Sequence, residues 1–297
     1  MVGRNLLEHP DITSFELITP SHSELDLLDY RSVEKFLYFC KPDMVVHAAG
    51  IVGGIQANIR KPLKFLIQNL DMGRNVIMAS RQRGVRQLIN LGSSCMYPRN
   101  APNPLREEFI LSGELEPSNE GYALAKVVTT RLCQYIHREN SDYQYKTLIP
   151  CNIYGRWDKF HPIESHLIPA IIMKIHEALK TGTNRIEIWG DGNVRREFMY
   201  AGDFADCLIH SIKHFDTLPY LMNVGLGKDY TVNEYYKLVA EVMGYSGSFT
   251  HDISKPVGMQ HKLVDITKQI DWGWQKRNEI KEGITATYDF YLKQGVN

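Results

Sequence analysis

The sequence predicts an α/β protein with a doubly wound parallel sheet, and two observations support this class. Through the first half of the 297-residue chain, short apolar runs alternate with amphipathic helical patterns. The helical patterns are long enough to be the crossover connections that parallel strands require. In such sheets, ligands bind beyond the carboxyl ends of the strands, so we expect the functional site at that edge.

The elements of the first half follow from these patterns in chain order. Residues 5–8 suit a helix, which His9, Pro10 and Asp11 end. The apolar run at 43–50 ends in small residues, and the stretch 65–84 is a long amphipathic helix. In full, further helices are predicted over residues 31–40, 65–84 and 121–139, and strands over residues 14–19, 43–50, 86–93 and 145–150.

After Pro150 the alternation weakens. Residues 165–182 and 230–245 have helical patterns, and residues 185–192 suit a strand and turn. This indicates a smaller, mixed α/β lobe interleaved with returns to the sheet. We predict a sheet domain of residues 1–155 and about 185–230, and a lobe of about 156–184 and 231–297.

The composition argues against several classes of partner. Lys and Arg number 34, as do Asp and Glu, so no net charge attracts nucleic acid or an anionic membrane. No apolar run is long enough to span a bilayer. The five cysteines are scattered without the spacing of metal sites, so we expect no metal and no disulfide framework. A reduced, cytoplasmic protein is the natural interpretation.

The sharpest local motif is YALAK, whose Tyr122 and Lys126 lie one helical turn apart on one face. A phenol titrates near pH 10, and we expect Lys126 to favour its ionised form. Ser93, Ser94 and Cys95 follow a predicted strand about thirty residues earlier. A hydroxyl there can hold a substrate carbonyl while Tyr122 gives or takes its proton.

Longer stretches carry a resemblance through essentially the whole chain. They are VGGIQANIRKP, QNLDMGRNVI, LGSSCMYPRNAPNP, LEPSNEGYALAK, CNIYGRWDKFHPIESHLIPA, WGDGNVRREFMY and LMNVGLGKDYTVNEYYKLVAEVMGY. Together they resemble the extended short-chain dehydrogenase/reductases that act on nucleotide sugars, and most strongly the GDP-L-fucose synthase group. The resemblance implies a Rossmann-type domain that binds NADP(H), a lobe that binds a GDP-sugar, and a homodimer built on the long helices holding Asn69 and Tyr122.

The implied activity is epimerisation at carbons 3 and 5 and reduction at carbon 4 of a GDP-4-keto-6-deoxy-hexose, giving GDP-L-fucose or a close relative. Ser93 matches the group's active-site serine, Tyr122 its proton donor and Lys126 the lysine that binds the nicotinamide ribose. Cys95 matches the epimerisation base, and His166 its acid partner. A cysteine and a histidine suit proton exchange beside a ketone near pH 7.

The resemblance also assigns binding residues. Those for the cofactor are Gly3, Ser21, His22, Asp26, Leu27, Ala48, Ala49, Tyr122, Lys126, Pro150, Asn152 and Ile153. Those for the substrate are Asn152, Lys174, Trp189, Arg196, Lys255 and Lys262, where Arg196 matches the arginine at the nucleotide diphosphate.

Two related activities are disfavoured and two others stay open. Sugar-nucleotide dehydratases carry an Asp-Glu pair where this chain has Ser94-Cys95, and 4-epimerases generally lack the Cys and His pair. A reductase of another GDP-4-keto sugar, such as a heptose, is the first alternative. A cofactor-free relative that acts as a binding module is the second.

The chain departs from the group's pattern in three places. Only Gly3 matches the glycine loop, so we expect this chain to be a shortened form of a longer parent. The shortened form is expected to lack the first strand and to bind NADPH weakly. The segment TPSHSE at 19–24 has no arginines to bind the 2′-phosphate of NADPH. It also has no Asp to bind the free ribose 2′-hydroxyl of NAD, and this second absence weakly favours NADP over NAD. Val257 and His261 stand where an acidic residue and an arginine are expected, which can change the sugar accepted.

Overall fold

The computed structural model describes residues 1–161, 164–255 and 257–294. Its helices are α1 (Val2–Leu7), α2 (Tyr30–Cys40), α3 (Ile55–Arg60), α4 (Pro62–Gln82), α5 (Glu120–Glu139), α6 (Leu167–Thr181), α7 (Ala201–Lys213), α8 (Val232–Met243), α9 (Thr267–Trp272) and α10 (Ile280–Lys293). No helix within the described residues has the length and apolar character needed to cross a membrane.

The strands are β1 (Met44–His47), β2 (Gln87–Leu91), β3 (Gln144–Pro150), β4 (Asn152–Tyr154), β5 (Arg185–Trp189), β6 (Arg195–Arg196), β7 (Phe198–Tyr200), β8 (Leu221–Val224), β9 (Tyr230–Thr231), β10 (Ser248–Asp252) and β11 (His261–Lys262). The main sheet is parallel, with the spatial order β1-β2-β3-β8.

Helices cover both faces of this sheet. Successive residues of a strand point to opposite faces. In β2, Leu88 belongs to a buried cluster with Ile77 of α4 and Ile136 of α5, whereas Ile89 belongs to one with Phe204 of α7. This arrangement confirms the predicted doubly wound class.

A second hydrophobic cluster lies outside the main sheet. Ile171 of α6, Val239 of α8 and Ile284 of α10 are completely buried in it. Around it, β5 pairs with β10, and β4 pairs with β7. The short strand β6 lies between β11 and β9. This region has the mixed α/β character that the weakened pattern after Pro150 indicated.

Residues 14–19 do not form the predicted strand. Pro10–Ser14 form a 3-10 helix, and the chain that follows has no regular structure. Leu17 and Ile18 are each 45% exposed. A strand needs a neighbour that pairs its backbone groups, and the described sheet ends at β1, which pairs only with β2. The prediction was wrong because an apolar run does not show whether such a neighbour is present.

Helices α4 and α5 pack closely and frame one side of the sheet. A Cβ atom at Gly73 of α4 would lie 2.4 Å from Thr129 Cγ2 of α5, so glycine is what permits this approach. The contact carries Asn69 of α4 and Lys126 of α5 to the carboxyl edge of the sheet, where β1 and β2 end.

Candidate active site

The chain beyond β2 presents Ser93 to helix α5. Ser93 is the N-cap of a 3-10 turn over Ser94–Met96, and its Oγ accepts the Cys95 backbone N–H at 3.2 Å. The Ser93 and Tyr122 side chains are also hydrogen-bonded to each other. A strand end and a helix that begins at Glu120 therefore bring the two predicted hydroxyl groups into contact.

Lys126 lies below this pair, one turn further along α5. Its Nζ donates to the Leu91 carbonyl at 2.9 Å and lies 5.8 Å from the centre of the Tyr122 ring. Lys126 is only 7% exposed, and burial, which disfavours the ammonium, lowers its pKa to about 8.

The pKa of Tyr122 moves in the direction opposite to the expected one. Burial raises it, the neighbouring Cys95 raises it further, and the Ser93 hydrogen bond offsets part of this rise. The desolvation of the phenolate outweighs any benefit from Lys126. The Tyr122 hydroxyl is therefore held protonated at neutral pH, the form that a proton donor requires.

Cys95 lies among hydrogen-bond donors from two distant parts of the chain. Asn119 Nδ2 donates to its Sγ at 3.1 Å, and Lys262 Nζ donates to it at 3.3 Å. The sequence analysis gave no role to Asn119, although Asn119 immediately precedes α5 and the YALAK motif. Lys262, assigned to the substrate, lies against the predicted epimerisation base.

Arg196 is the neighbour of Lys262 in the β6–β11 pair. Its Nη1 donates to the Arg195 carbonyl at 2.8 Å and its Nη2 to the Val257 carbonyl at 2.7 Å. Burial lowers its pKa to about 10, and the nearby Glu116 and Cys95 oppose that change. The guanidinium thus lies close to Cys95, with only neutral carbonyls as hydrogen-bond partners among the described residues.

His166 is the N-cap residue of α6 and is half-buried. Its described electrostatic partner is Asp158, whose pKa burial raises and His166 lowers. Asp158 Oδ2 is buried without a hydrogen-bond partner among the described residues. No hydrogen bond between His166 and Cys95 occurs in the part of the chain that the structure describes, so the structure does not bring this predicted pair into direct contact.

Several predicted cofactor residues lie at or next to the carboxyl edge. Ala48 and Ala49 follow β1, Pro150 ends β3, and Asn152 and Ile153 lie in β4. The Asn152 side chain donates to the Glu197 carbonyl at 2.8 Å.

The loop after β1 is held by Asn69, a site contribution that sequence reasoning missed. Asn69 Oδ1 accepts the Ile51 N–H at 2.8 Å, and its Nδ2 donates to the Ile51 carbonyl at 3.0 Å. A Cβ at Gly50 would lie 3.2 Å from Asn69 Oδ1. This close backbone, together with the Tyr122 hydroxyl and the Lys126 ammonium, fits the ribose and nicotinamide end of a dinucleotide.

The remaining cofactor predictions fall on α1 and on the segment before α2. Gly3 lies in the first turn of α1 with open space around it. Ser21 donates from both its N–H and its hydroxyl to Glu24, and Asp26 accepts the Leu28 N–H. The Leu27 carbonyl accepts from Asn75 of α4 at 2.9 Å, and His22 is exposed.

Three predicted substrate residues form a cluster at the end of β5. Trp189 is 38% exposed, and Lys174 Nζ and Lys255 Nζ lie 5.6 Å and 5.9 Å from its ring centre. Lys174 also donates to the Glu187 carbonyl at 2.8 Å, and Lys255 pairs with Asp252 at 3.6 Å. An exposed indole between two cations can stack on a planar base whose oxygens accept from the lysines.

Val257 and His261, the two lobe residues that differ from the expected pattern, make different contacts. His261 and Arg195 both bind the carboxylate of Asp229, the arginine at 2.7 Å. Val257 binds Arg196 through its carbonyl. In the described residues, no group of three or more His, Cys, Asp or Glu side chains is arranged to hold a metal ion.

The chain is similar to known proteins both in sequence and in fold. The sequence profile of the NAD dependent epimerase/dehydratase family matches residues 1–225. The GDP-L-colitose synthase of Yersinia pseudotuberculosis is 51% identical over 297 residues, which are 100% of this chain and 96% of that protein. The GDP-L-fucose synthase of Azorhizobium caulinodans is 49% identical over 292 residues, 98% and 93% of the two chains.

Among solved structures, a GDP-mannoheptose C4 reductase from Campylobacter jejuni with NADP bound superposes with a TM-score of 0.87 at 30% identity. The match covers 98% of this chain and 95% of that one. The family profile and the full-length relatives therefore point to the same kind of protein as the parallel sheet and the Tyr122–Lys126 motif on α5. This chain belongs to the NAD dependent epimerase/dehydratase family.

Proposed function

We propose that this chain uses NADPH to epimerise carbons 3 and 5 and to reduce carbon 4 of a GDP-4-keto-6-deoxy-hexose, giving GDP-L-fucose or a close relative. The observation that carries the proposal is that groups suited to reduction and a group suited to epimerisation lie together after β2. Ser93 and Tyr122 are in contact there, and the Cys95 thiol lies two residues from Ser93 among cationic groups. The relatives named GDP-L-colitose synthase and GDP-L-fucose synthase support this activity.

In the reduction, Tyr122 is the general acid. NADPH, when bound, supplies the hydride that adds to carbon 4. Ser93 orients the substrate carbonyl by hydrogen bonding, and the Tyr122 hydroxyl donates its proton to the carbonyl oxygen. Lys126, fixed by the Leu91 carbonyl, would hold the nicotinamide ribose through its ammonium.

In the epimerisation, Cys95 as thiolate removes the proton from carbon 3 or carbon 5. The C–H bond breaks, an S–H bond forms, and the electron pair passes into an enolate whose oxygen carries the charge. Ser93 and Tyr122 donate hydrogen bonds to that oxygen. His166 then gives a proton to the opposite face of the carbon, which inverts the centre and leaves a neutral imidazole. Both groups return to their starting forms by exchange with water.

The rest of the nucleotide sugar is bound by the remaining predicted residues. Arg196 provides positive charge for the diphosphate, and Asn152, at the start of β4, donates to the carbonyl of the adjacent Glu197. Trp189 stacks on the guanine, and Lys174 and Lys255 donate to its oxygens. Residues 1–155 and the part of 185–230 that returns to the main sheet hold the dinucleotide. The lobe holds the sugar nucleotide together with Trp189 of β5 and Arg196 of β6, and β5 packs with the lobe.

A reductase without epimerase activity, acting on another GDP-4-keto sugar such as a heptose, is the second candidate. The structural similarity to a GDP-mannoheptose C4 reductase favours it. A cofactor-free binding module is disfavoured, because Ser93, Tyr122 and Lys126 retain a catalytic arrangement that mere binding does not need.

Proton exchange separates the two enzyme candidates. Incubated in deuterated water with GDP-4-keto-6-deoxymannose, the protein should place deuterium at carbons 3 and 5. Cys95→Ala and His166→Ala should lose that exchange while reducing an already epimerised ketone at a rate close to that of the wild type. Cys40→Ala is the matched control, since Cys40 ends α2 far along the chain. Exchange by the wild type no faster than that without enzyme would favour the plain reductase, and equal enzymatic exchange by the wild type and both variants would remove Cys95 and His166 from the epimerisation.

We further propose a cytoplasmic homodimer formed through α4 and α5. Exposed apolar side chains on these helices support the interface: Leu63 (71%), Ile67 (43%), Val128 (47%) and Tyr135 (48%). Sedimentation should give twice the chain mass for the wild type. Ile67→Glu should shift the protein towards monomer, whereas Ile253→Glu, at an 82% exposed position elsewhere, should not.

A further inference from the structure

Lys262 is a buried lysine whose surroundings favour a negative partner. It is 7% exposed, and its ammonium donates to Cys95 Sγ at 3.3 Å. The described residues offer it no carboxylate at ion-pairing distance, unlike the nearby Lys255 and Lys268. A buried charge is costly unless it is paired, so the sulfur is the group best placed to balance this ammonium.

The pairing of strands adds a second cation to the same place. Lys262 of β11 and Arg196 of β6 are register partners. The Arg196 guanidinium donates only to neutral carbonyls among the described residues, and its electrostatic neighbours are Glu116, Cys95 and Tyr235. An anion at Cys95 would lie near both cations.

The hydrogen bonds around Cys95 have the polarity that a thiolate needs. Asn119 Nδ2 and Lys262 Nζ both donate to Sγ. The backbone N–H of Cys95 is fixed by Ser93 Oγ, which holds the turn and therefore the direction of the thiol. Among the described residues, the other titratable groups near this pair are the Arg196 guanidinium, the Tyr122 hydroxyl and the Cys151 thiol. Burial raises the pKa of both Tyr122 and Cys151, so these two groups stay neutral at physiological pH. Sulfur is thus placed as an acceptor.

We propose that Lys262 is the cation that holds Cys95 as a thiolate, assisted by Asn119, so that Lys262 is a positioning residue for proton removal. The use of that thiolate rests on the epimerase function proposed above, whereas the charge pairing does not. When Cys95 takes a carbon-bound proton its sulfur becomes neutral, and the charge of Lys262 is unchanged. The resemblance alone had assigned Lys262 to the diphosphate.

The test is alkylation of Cys95 by iodoacetamide, followed by peptide mass spectrometry as a function of pH. Lys262→Met should slow alkylation near pH 7 roughly tenfold and move the pH profile upwards, because thiolate is the reactive species. At about pH 10 the two rates should converge, since the thiol then ionises without help. Lys262→Arg should restore most of the rate near pH 7, and the exposed Lys237→Met on α8 should behave as the wild type.

Several outcomes would overturn the proposal. One is an unchanged profile in Lys262→Met; another is a rate that stays low at about pH 10, which would mean that Lys262 controls access instead of charge. If Lys262→Met does not fold, the thiolate absorbance of the wild type is compared with that of Cys95→Ala, and no difference near neutral pH would refute the idea. If the wild type does not exchange the protons on carbons 3 and 5 with deuterated water, while its alkylation still depends on Lys262, only the proposed epimerase function is refuted.

Discussion

Two buried lysines mark two corners of the site, and their partners differ. Lys126 donates to a backbone carbonyl 35 residues away, within the packing of β2 and α5. Lys262 donates to the Cys95 thiol 167 residues away, which joins β11 to the turn after β2. Both are 7% exposed. A neutral partner lets the first lysine approach neutrality as pH rises, whereas a thiol can supply the second with an opposite charge.

The comparison shows how one edge of a sheet can support two proton chemistries. The first corner holds Ser93, Tyr122 and Lys126, and we call it the reduction corner after its proposed role. Burial keeps the Tyr122 phenol protonated there, which prepares it to donate. The second corner holds Cys95, Asn119 and Lys262, and we call it the epimerisation corner after its proposed role. Asn119 and Lys262 both donate to the sulfur there, which prepares it to accept. The two corners share Ser93, whose Oγ contacts the Tyr122 side chain and fixes the Cys95 backbone.

The largest expected effect is the loss of ketone reduction in Tyr122→Phe, which changes the reduction corner alone. Tyr122→Phe removes the only hydroxyl there proposed to donate a proton, so ketone reduction should fall about 10²–10⁴-fold. GDP-sugar binding, measured by calorimetry, should stay close to that of the wild type, because the phenyl ring keeps the packing. Tyr38→Phe, at a 52% exposed position of α2, is the matched control. Wild-type reduction by Tyr122→Phe would remove Tyr122 from the mechanism.

The sequence predicted the reduction corner better than the epimerisation corner, for a physical reason. Tyr122 and Lys126 are fixed to each other by the period of one helix, and a strand end with small hydroxyl residues is visible locally. Lys262 and Asn119 reach Cys95 through tertiary packing between distant segments, which no local pattern reveals. The predicted strand at residues 14–19 was wrong for the same reason, because a strand forms only where a neighbouring strand pairs with it.

A smaller effect should appear in the pH dependence of reduction. Because burial lowers the pKa of Lys126 to about 8, its ammonium is present below that pH and is lost above it. The value of kcat/KM for ketone reduction should therefore fall above pH 8, by up to about tenfold per pH unit. Lys126→Arg keeps the charge and should move the decline to higher pH. A level profile to about pH 10 in the wild type would show that the ammonium is not required.

The smallest effect concerns Glu197, whose carboxylate holds the segment next to Lys262. It is fully buried and accepts the N–H groups of Leu226, Gly227 and Val264 at 2.5, 2.9 and 3.0 Å. Burial raises its pKa from 4.5 to about 7, despite those three donors.

The sign of its effect on stability follows from that shift. Between these two pH values the folded chain keeps a proton that the unfolded chain has lost, so the stabilising contribution is present at low pH and disappears as pH rises through 7. The unfolding free energy of the wild type should fall, relative to that of Glu197→Gln, by on the order of 1 kcal/mol between about pH 5 and 8. Urea unfolding at several pH values measures the difference. Parallel curves would mean that Glu197 stays charged throughout, and that the epimerisation corner is anchored by a carboxylate held ionised by its three amides, as Cys95 is proposed to be held by Lys262.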